Sequence, residues 1–293
     1  MQFTKMHGLG NDYVVFGFSE IPDTDFGALA IRLCHRYFGV GADGLIAVLP
    51  SDSCNFRMRI FNSDGSEAEM CGNGVRCATK YYIEKMMPHD DRPAGDNELI
   101  LDVETLAGVR TVVAEWRADG VGMMTVGMGA PILDPPSIPV NVAGDRAVEI
   151  PIKTSFGTFK ATCVSMGNPH AVIFRDEDVD DSPVLTAGPE IEKHPMFPRK
   201  TNVEFVNVIS ETELKMRVWE RGVGETLACG TGTCATAVAA NITGRAGRKV
   251  TVHLRGGDLF IDWTETGEVL MSGPAEFVFN GTLVGPDLFM LSK

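Results

Sequence analysis

Short stretches of alternating apolar and polar residues recur along the chain and predict more strands than helices. They lie near residues 2–6, 12–18, 43–49, 98–115, 121–128, 158–174, 201–209 and 247–281. Met58–Phe61 and Glu213–Trp219 alternate in the same way. Helical spacing appears at residues 25–38 and roughly 183–193. Two further helices are expected after glycine-rich turns. GNGVRCATKYYIEKM follows Cys71 and is stopped by Pro88; the Ala-rich GTGTCATAVAANIT follows Cys229 and is ended by Gly244. This is an α+β pattern, and the Gly/Pro-rich stretch from Gly127 to Pro139 reads as a junction between two domains.

The chain also resembles itself. MRIFNSDGSEAEMCGNG from Met58 and MRVWERGVGETLACGTG from Met216 align without a gap at an offset of 158 residues. The identities are Met58/Met216, Arg59/Arg217, Glu67/Glu225, Cys71/Cys229, Gly72/Gly230 and Gly74/Gly232. Upstream, MHGLGN ends at Asn11 and MGNPH contains Asn168, 157 residues later. Two separate segments sharing nearly one offset imply two pseudo-symmetric, strand-rich domains. Each carries a Cys-Gly-x-Gly element at or just before a helix start.

Bulk composition narrows the function. The 293 residues are 44% hydrophobic and 22% charged, ordinary for a globular protein that buries its core without staples. The formal net charge of −13, with scattered Lys and Arg, argues against nucleic-acid binding and against a membrane surface. No targeting segment and no long apolar run is visible. Seven cysteines without a paired framework favour free thiols and a reducing, cytoplasmic setting.

A helix N-terminus presents unpaired N–H groups and a partial positive charge. It lowers a thiol's pKa and binds carboxylates. Two such ends facing one another grip one carboxylate and place a sulfur on each face of the adjacent carbon. One thiolate then removes the α-proton and the opposite thiol supplies another, inverting the centre. The N–H groups stabilise the charge that develops. Cys77 and Cys234 are expected to face the core from within the helices. Cys34, Cys54 and Cys163 are expected in apolar surroundings. Zinc is the rival use of the cysteine pairs, but the spacings are unsuited and no His lies at ligand spacing. The glycines at Gly8 and Gly10 run strand to strand and do not form a P-loop. No G-x-S-x-G elbow is present.

KMHGLGNDYVVF at Lys5, FNSDGSEAEMCGNGVRC at Phe61, SMGNPH at Ser165 and ERGVGETLACGTGTC at Glu220 together resemble the diaminopimelate epimerase family. The resemblance runs from the first strand to near the end of the chain. It implies cofactor-free, pyridoxal-independent interconversion of LL- and meso-2,6-diaminopimelate, with no metal, in lysine and peptidoglycan precursor synthesis. It implies a small amino-acid substrate bound between two domains, 1–127 with 274–293 and 128–273, and a homodimer. Carried over by position, Cys71 and Cys229 are the catalytic pair, and His170 and Glu220 assist them. Gly72, Asn73, Gly230 and Thr231 present helix-end N–H groups. Asn11, Asn62, Asn168, Asn202, Glu220 and Arg221 match positions that bind the two amino-acid ends, with Arg221 suited to the distal carboxylate. Gly44 stands where some members have Gln, so that side-chain contact is absent or replaced. The alternatives are a two-cysteine racemase for another amino acid such as histidine, a non-catalytic amino-acid-binding module, and a related isomerase with one carboxylate base.

Overall fold

The computed structural model describes residues 1–17, 25–176, 178–179 and 181–284. These form two units, one comprising Met1–Val126 and the described chain from Gly273 onward, the other Gly127–Ser272.

In the first unit, β1 (Gln2–Gly8) and β2 (Asn11–Gly17) form an antiparallel hairpin. Its two-residue turn has Leu9 at φ 56° and Gly10 at φ 83°, the left-handed pair that a tight hairpin demands. β2 then pairs in parallel with β3 (Gly44–Leu49), and β3 pairs antiparallel with β4 (Phe56–Asn62). The short β5 (Glu67–Ala68) folds back on β4, which also runs parallel to β6 (Asn97–Thr105). β7 (Gly108–Arg117) and β8 (Gly120–Gly127) continue antiparallel, and β18 (Glu276–Thr282) returns to pair with β1. The helices are α1 (Phe26–Cys34) and α2 (Gly72–Tyr81).

The second unit repeats this order strand for strand. β9 (Ile150–Thr154) pairs with β10 (Gly157–Ser165), and β10 pairs antiparallel with β11 (Pro169–Arg175). β11 is parallel to β12 (Asn202–Val208), which is antiparallel to β13 (Glu213–Glu220). The short β14 (Gly224–Thr226) folds on β13, which is parallel to β15 (Lys249–Leu254); β16 (Gly257–Trp263) and β17 (Val269–Gly273) follow antiparallel. Its helices are α3 (Asp181–Thr186), α4 (Gly188–Glu192) and α5 (Gly230–Ile242).

The repeat holds at single-residue register. Tyr13 lies opposite Gly44 as His170 lies opposite Asn202, and Leu45 opposite Phe61 as Val203 opposite Trp219. Each unit wraps its strands about one helix. α2 packs on β1, β2, β3, β4, β6 and β7, and α5 on β10, β11, β12, β15 and β16. α5 is buried nearly all round, which its run of Ala and Gly allows. α2 buries Arg76 and Lys80, and both find partners: Arg76 Nε donates to Pro274 O at 3.1 Å and Lys80 Nζ to Val121 O at 2.8 Å. The strands between two layers, β3 and β12, are buried on both faces and so read as nearly continuous apolar runs.

Several elements depart from the sequence expectation. The helix expected over 25–38 stops at Cys34, because the chain turns back over its end. Val40 N and Gly41 N bond Leu33 O at 2.8 and 3.0 Å, and a Cβ at Gly39 would sit 2.4 Å from Arg32 O. The helix expected near 183–193 is two pieces, α3 and α4, with Pro189 starting the second and Gly188 pressed against Trp219. The stretches 98–115 and 158–174 each divide into two strands at a turn. β9 was not expected, since Pro151 depletes a strand signal; it is tolerated here opposite Lys160. Met87, extended before Pro88, ends the helical path that follows Cys71.

Phe205 on β12 is fully buried and meets Phe159 edge-on at 6.1 Å. Phe205→Ala is expected to destabilise the protein by about 3–5 kcal/mol. Chemical denaturation checks this, and a loss below about 1 kcal/mol would contradict the packing described.

Candidate active site

Both repeated cysteines occupy the N-cap of the helix their unit surrounds. Cys71 has φ −143°, ψ 121° before α2, and Cys229 has φ −126°, ψ 109° before α5. An N-cap is ordinarily Ser, Thr, Asp or Asn, whose oxygen accepts from the first turn. Cys71 makes no side-chain capping bond, and Cys229 offers its first turn only a sulfur, toward which the Gly232 N–H points. The first bonds from the helices are Val75 N to Cys71 O at 2.8 Å and Thr233 N to Cys229 O at 2.9 Å. The N–H groups of Gly72, Asn73 and Gly74, and of Gly230, Thr231 and Gly232, therefore lie outside the helical ladders.

The duplicated Arg and Glu explain how the cysteines are presented. Arg59 grips Glu67 through two bonds of 2.7 and 2.8 Å. Arg217 grips Glu225 with two nitrogens that both meet Oε1, Nε at 2.7 Å, while Arg255 lies 3.1 Å from the other oxygen. Each fork ties β4 to β5, or β13 to β14, just before the chain reaches its cysteine. The Arg59 guanidinium holds the Glu67 carboxyl below its ordinary value.

The surroundings of the two sulfurs differ. Cys71 is half-buried, 3.2 Å from the Tyr13 hydroxyl. That hydroxyl also bonds Asn11 Oδ1, which accepts in addition from Asn73 Nδ2 at 3.3 Å. Asn11, Asn73 and Cys71 are thus one connected set. Cys229 is buried beside Thr231 Oγ1 at 3.6 Å, and the Gly232 N–H is directed at its sulfur. Burial, with Glu220 and Glu204 adding to it, pushes the Cys229 thiol well above its ordinary value, against these two donors. The lowering expected from a helix end is outweighed there.

His170 is fully buried on β11. Its Nδ1 lies 2.7 Å from Glu204 Oε1 and its Nε2 3.0 Å from Asn168 Oδ1. Asn168 and Glu204 thus hold the ring from its two nitrogens. Burial raises the Glu204 carboxyl although His170 pulls the other way, and its Oε2 has no hydrogen-bond partner. Gly232 makes room for this group: a Cβ there would lie 2.7 Å from Glu204 Oε1 and 3.3 Å from Cys229 Sγ.

Among the other expected ligands, Asn202 is a clamp. Its Nδ2 donates to Pro169 O and its Oδ1 accepts from Arg221 N, each at 2.9 Å. Arg221 itself is exposed, with one guanidinium nitrogen on Arg199 O at 3.3 Å. Glu220 accepts from Thr226 Oγ1. Asn62 is exposed and bonds Ser66 Oγ at 2.9 Å, apart from the Asn11 set. Sequence reasoning missed Tyr13 and Glu204. Tyr13 stands 157 residues before His170, and Glu204 is a charge inside an apolar run.

All seven cysteines are free. Cys77 and Cys234 are buried in α2 and α5, as expected. Burial pushes Cys34, Cys77 and Cys163 each up to about 12. Cys54 corrects the expectation of an apolar setting. It is half-buried in the loop before β4, with its N–H on Ser51 Oγ at 3.1 Å. Among the described residues no group of three His, Cys, Asp or Glu is placed to hold a metal ion. No helix among them is long and apolar enough to cross a membrane.

The family model for diaminopimelate epimerase matches residues 3–133 and 162–278. The chain belongs to the diaminopimelate epimerase family. It is 53% identical over 286 residues to a diaminopimelate epimerase of Pelotomaculum thermopropionicum, covering 96% of this chain and 98% of that one. The enzyme of the same name from Moorella thermoacetica gives the same identity and coverage. Among solved structures, a probable proline racemase from Agrobacterium radiobacter K84 superposes with a TM-score of 0.71 at 15% identity, over 98% of this chain and 95% of that one. A hydroxyproline epimerase from Agrobacterium vitis also gives 0.71, at 17% identity over 99% and 93%. These likenesses establish a shared two-domain fold in which strands outnumber helices.

The burial and charge around Cys229 make a direct prediction. At neutral pH, iodoacetamide should modify Cys71 and Cys54 well before Cys229, as followed by peptide mass mapping. Equal rates for Cys229 and Cys54 would contradict the environment described for Cys229.

Proposed function

We propose that this epimerase interconverts LL- and meso-2,6-diaminopimelate with Cys71 and Cys229 as a matched acid and base. The observation that carries this is the same one in both units: a cysteine at the N-cap of a buried helix, beside three N–H groups outside the ladder. Family membership supports the substrate.

In the reaction, the thiolate of one cysteine takes the α-proton, and the C–H electron pair passes into the carboxylate as an enediolate. The thiol of the other gives its proton to the opposite face of the carbon. The electron pair returns to form the new C–H bond, and the two sulfurs exchange protonation states. N–H groups of Gly72, Asn73, Gly230 and Thr231 hold the reacting carboxylate and the charge that builds on it. Arg221 takes the distal carboxylate with paired bonds, and Asn202 holds the Arg221 backbone in place. Asn11, Asn62, Asn168 and Glu220 serve the amino groups and the remaining carboxylate oxygens. His170 and Glu220 assist Cys229. No cofactor is needed, because the thiols and helix ends supply base, acid and anion stabilisation. The protein acts as a cytoplasmic homodimer on this reading, and light scattering after gel filtration checks the dimer.

Proton NMR in D2O with reductant, LL-diaminopimelate and no added cofactor is the test. Deuterium should enter the α-position as meso product grows. No exchange with diaminopimelate, with exchange on another amino acid, would overturn the substrate. Cys71→Ser and Cys229→Ser should each lower interconversion by about 100-fold or more, since each face needs its own acid or base. Near-normal turnover in either variant would rule out the two-base scheme.

A further inference from the structure

Tyr13 is 3% exposed, and its hydroxyl touches two acceptors, Cys71 Sγ at 3.2 Å and Asn11 Oδ1. A phenol has one hydrogen to give, so only one of the two receives it at a time. Charged groups fix the orientation of the amides around it. Asp43 Oδ2 accepts from Asn11 Nδ2 at 2.8 Å, which turns Asn11 Oδ1 toward Tyr13; Asp43 is itself held by Arg36 at 2.6 Å. Arg76 donates to Asn73 Oδ1 at 2.9 Å, which turns Asn73 Nδ2 toward Asn11 Oδ1. Asn11 Oδ1 thus keeps one donor even when the phenol turns away.

The hydrogens can then be counted in each state of the sulfur. With Cys71 as a thiol, its S–H has two acceptors in reach, the Tyr13 oxygen at 3.2 Å and Asn11 Oδ1 at 3.9 Å, and the Tyr13 O–H is free to go to Asn11. With Cys71 as a thiolate, the sulfur has nothing to give and needs a donor. The phenol reaches it by rotation of one C–O bond. We propose that Tyr13 is a positioning residue for Cys71, its hydroxyl donating to the sulfur in the thiolate state and to Asn11 in the thiol state. This rests on Cys71 ionising during turnover, as the two-thiol reading requires.

The repeat gives independent support. Tyr13 and His170 occupy the same register, opposite Gly44 and Asn202, each two residues after an asparagine whose oxygen it faces. His170 turns its other nitrogen to Glu204, whereas the position equivalent to Glu204 in the first unit is Ile46. The first unit therefore has no buried carboxylate there, and the phenol serves its sulfur directly. Other titratable or charged groups around Tyr13 are Asp43 beyond Asn11, and Cys77 and Arg76 on α2. Burial, with Cys71 next in weight, pushes the phenol well above its ordinary value, so it stays a neutral donor.

The experiment is alkylation of Cys71 by iodoacetamide across pH, resolved by peptide mass mapping, in the full chain. In Tyr13→Phe, alkylation at pH 7 should slow by about tenfold and the profile should move about one pH unit higher, the weight of one hydrogen bond to a charged sulfur. Cys54 serves as the internal control and should not move. Replacing Tyr13 with 3-fluorotyrosine keeps the ring and makes the hydroxyl a stronger donor, so the profile should move to lower pH. A Tyr13→Phe profile that superposes on the parent's overturns the proposal. If that variant does not fold, an unmoved fluorotyrosine profile overturns it. Neither arm uses diaminopimelate, so failure of the substrate assignment shows separately in the NMR test.

Discussion

A helix that is buried along its length still needs partners for the N–H groups of its first turn. Both units wrap their strands around such a helix, and both leave that requirement to a cysteine. Sulfur is a weak acceptor, and a preferred capping side chain is worth about 1 kcal/mol at such a position. Forgoing that twice in one chain makes no sense as stabilisation. It makes sense if the N–H groups and the sulfur are to be used by something that arrives. The rest of each unit fits this constraint. The Arg–Glu fork fixes the hairpin that delivers the cysteine, and Gly72, Gly74, Gly230 and Gly232 keep side-chain bulk away from the helix end.

Duplication preserved this frame while the neighbours of the sulfur diverged. Cys71 lies among a phenol and two carboxamides that are held by charges further out. Cys229 lies deeper, with Glu204 and Glu220 near it. A helix terminus contributes about 0.3–1 kcal/mol, up to about 2 when partly buried. Burial of a thiolate beside two carboxylates exceeds that, so Cys229 is held in its protonated form. The proposed exchange of proton states between two sulfurs needs one that begins protonated, and the surroundings of Cys229 suit it to that part.

Much of this was legible in the sequence, because the repeat is written in residues that pack poorly as mere core. Cys-Gly-x-Gly twice, at one offset, located both helix starts and both thiols. The Arg59/Glu67 and Arg217/Glu225 identities proved to be the forks that present them. Other features depend on contacts that no local pattern encodes. The early end of α1 is decided by the chain returning over Leu33, and the break between α3 and α4 by Gly188 meeting Trp219. Pro151 hid β9. Tyr13 reads as one more aromatic in an alternating strand until register places its hydroxyl at Cys71. Cys54 has polar neighbours because its loop turns on Ser51, which composition alone does not reveal.

The residue opposite Tyr13 shows how register couples these choices. A Cβ at Gly44 would lie 2.7 Å from Phe61 O and 3.4 Å from the Tyr13 ring. Any larger side chain there must displace backbone or the ring itself, so the glycine and the seated phenol belong together. The equivalent position in the second unit carries Asn202, and that side chain is spent bridging Pro169 O and Arg221 N. One register position thus serves two ends. In the first unit its emptiness lets an aromatic hydroxyl reach the thiol. In the second its amide fixes the backbone from which an exposed guanidinium projects. An insertion or deletion of one residue in β2 or in β11 would undo the arrangement of that unit, because it would turn Tyr13 or His170 to the opposite face of its strand.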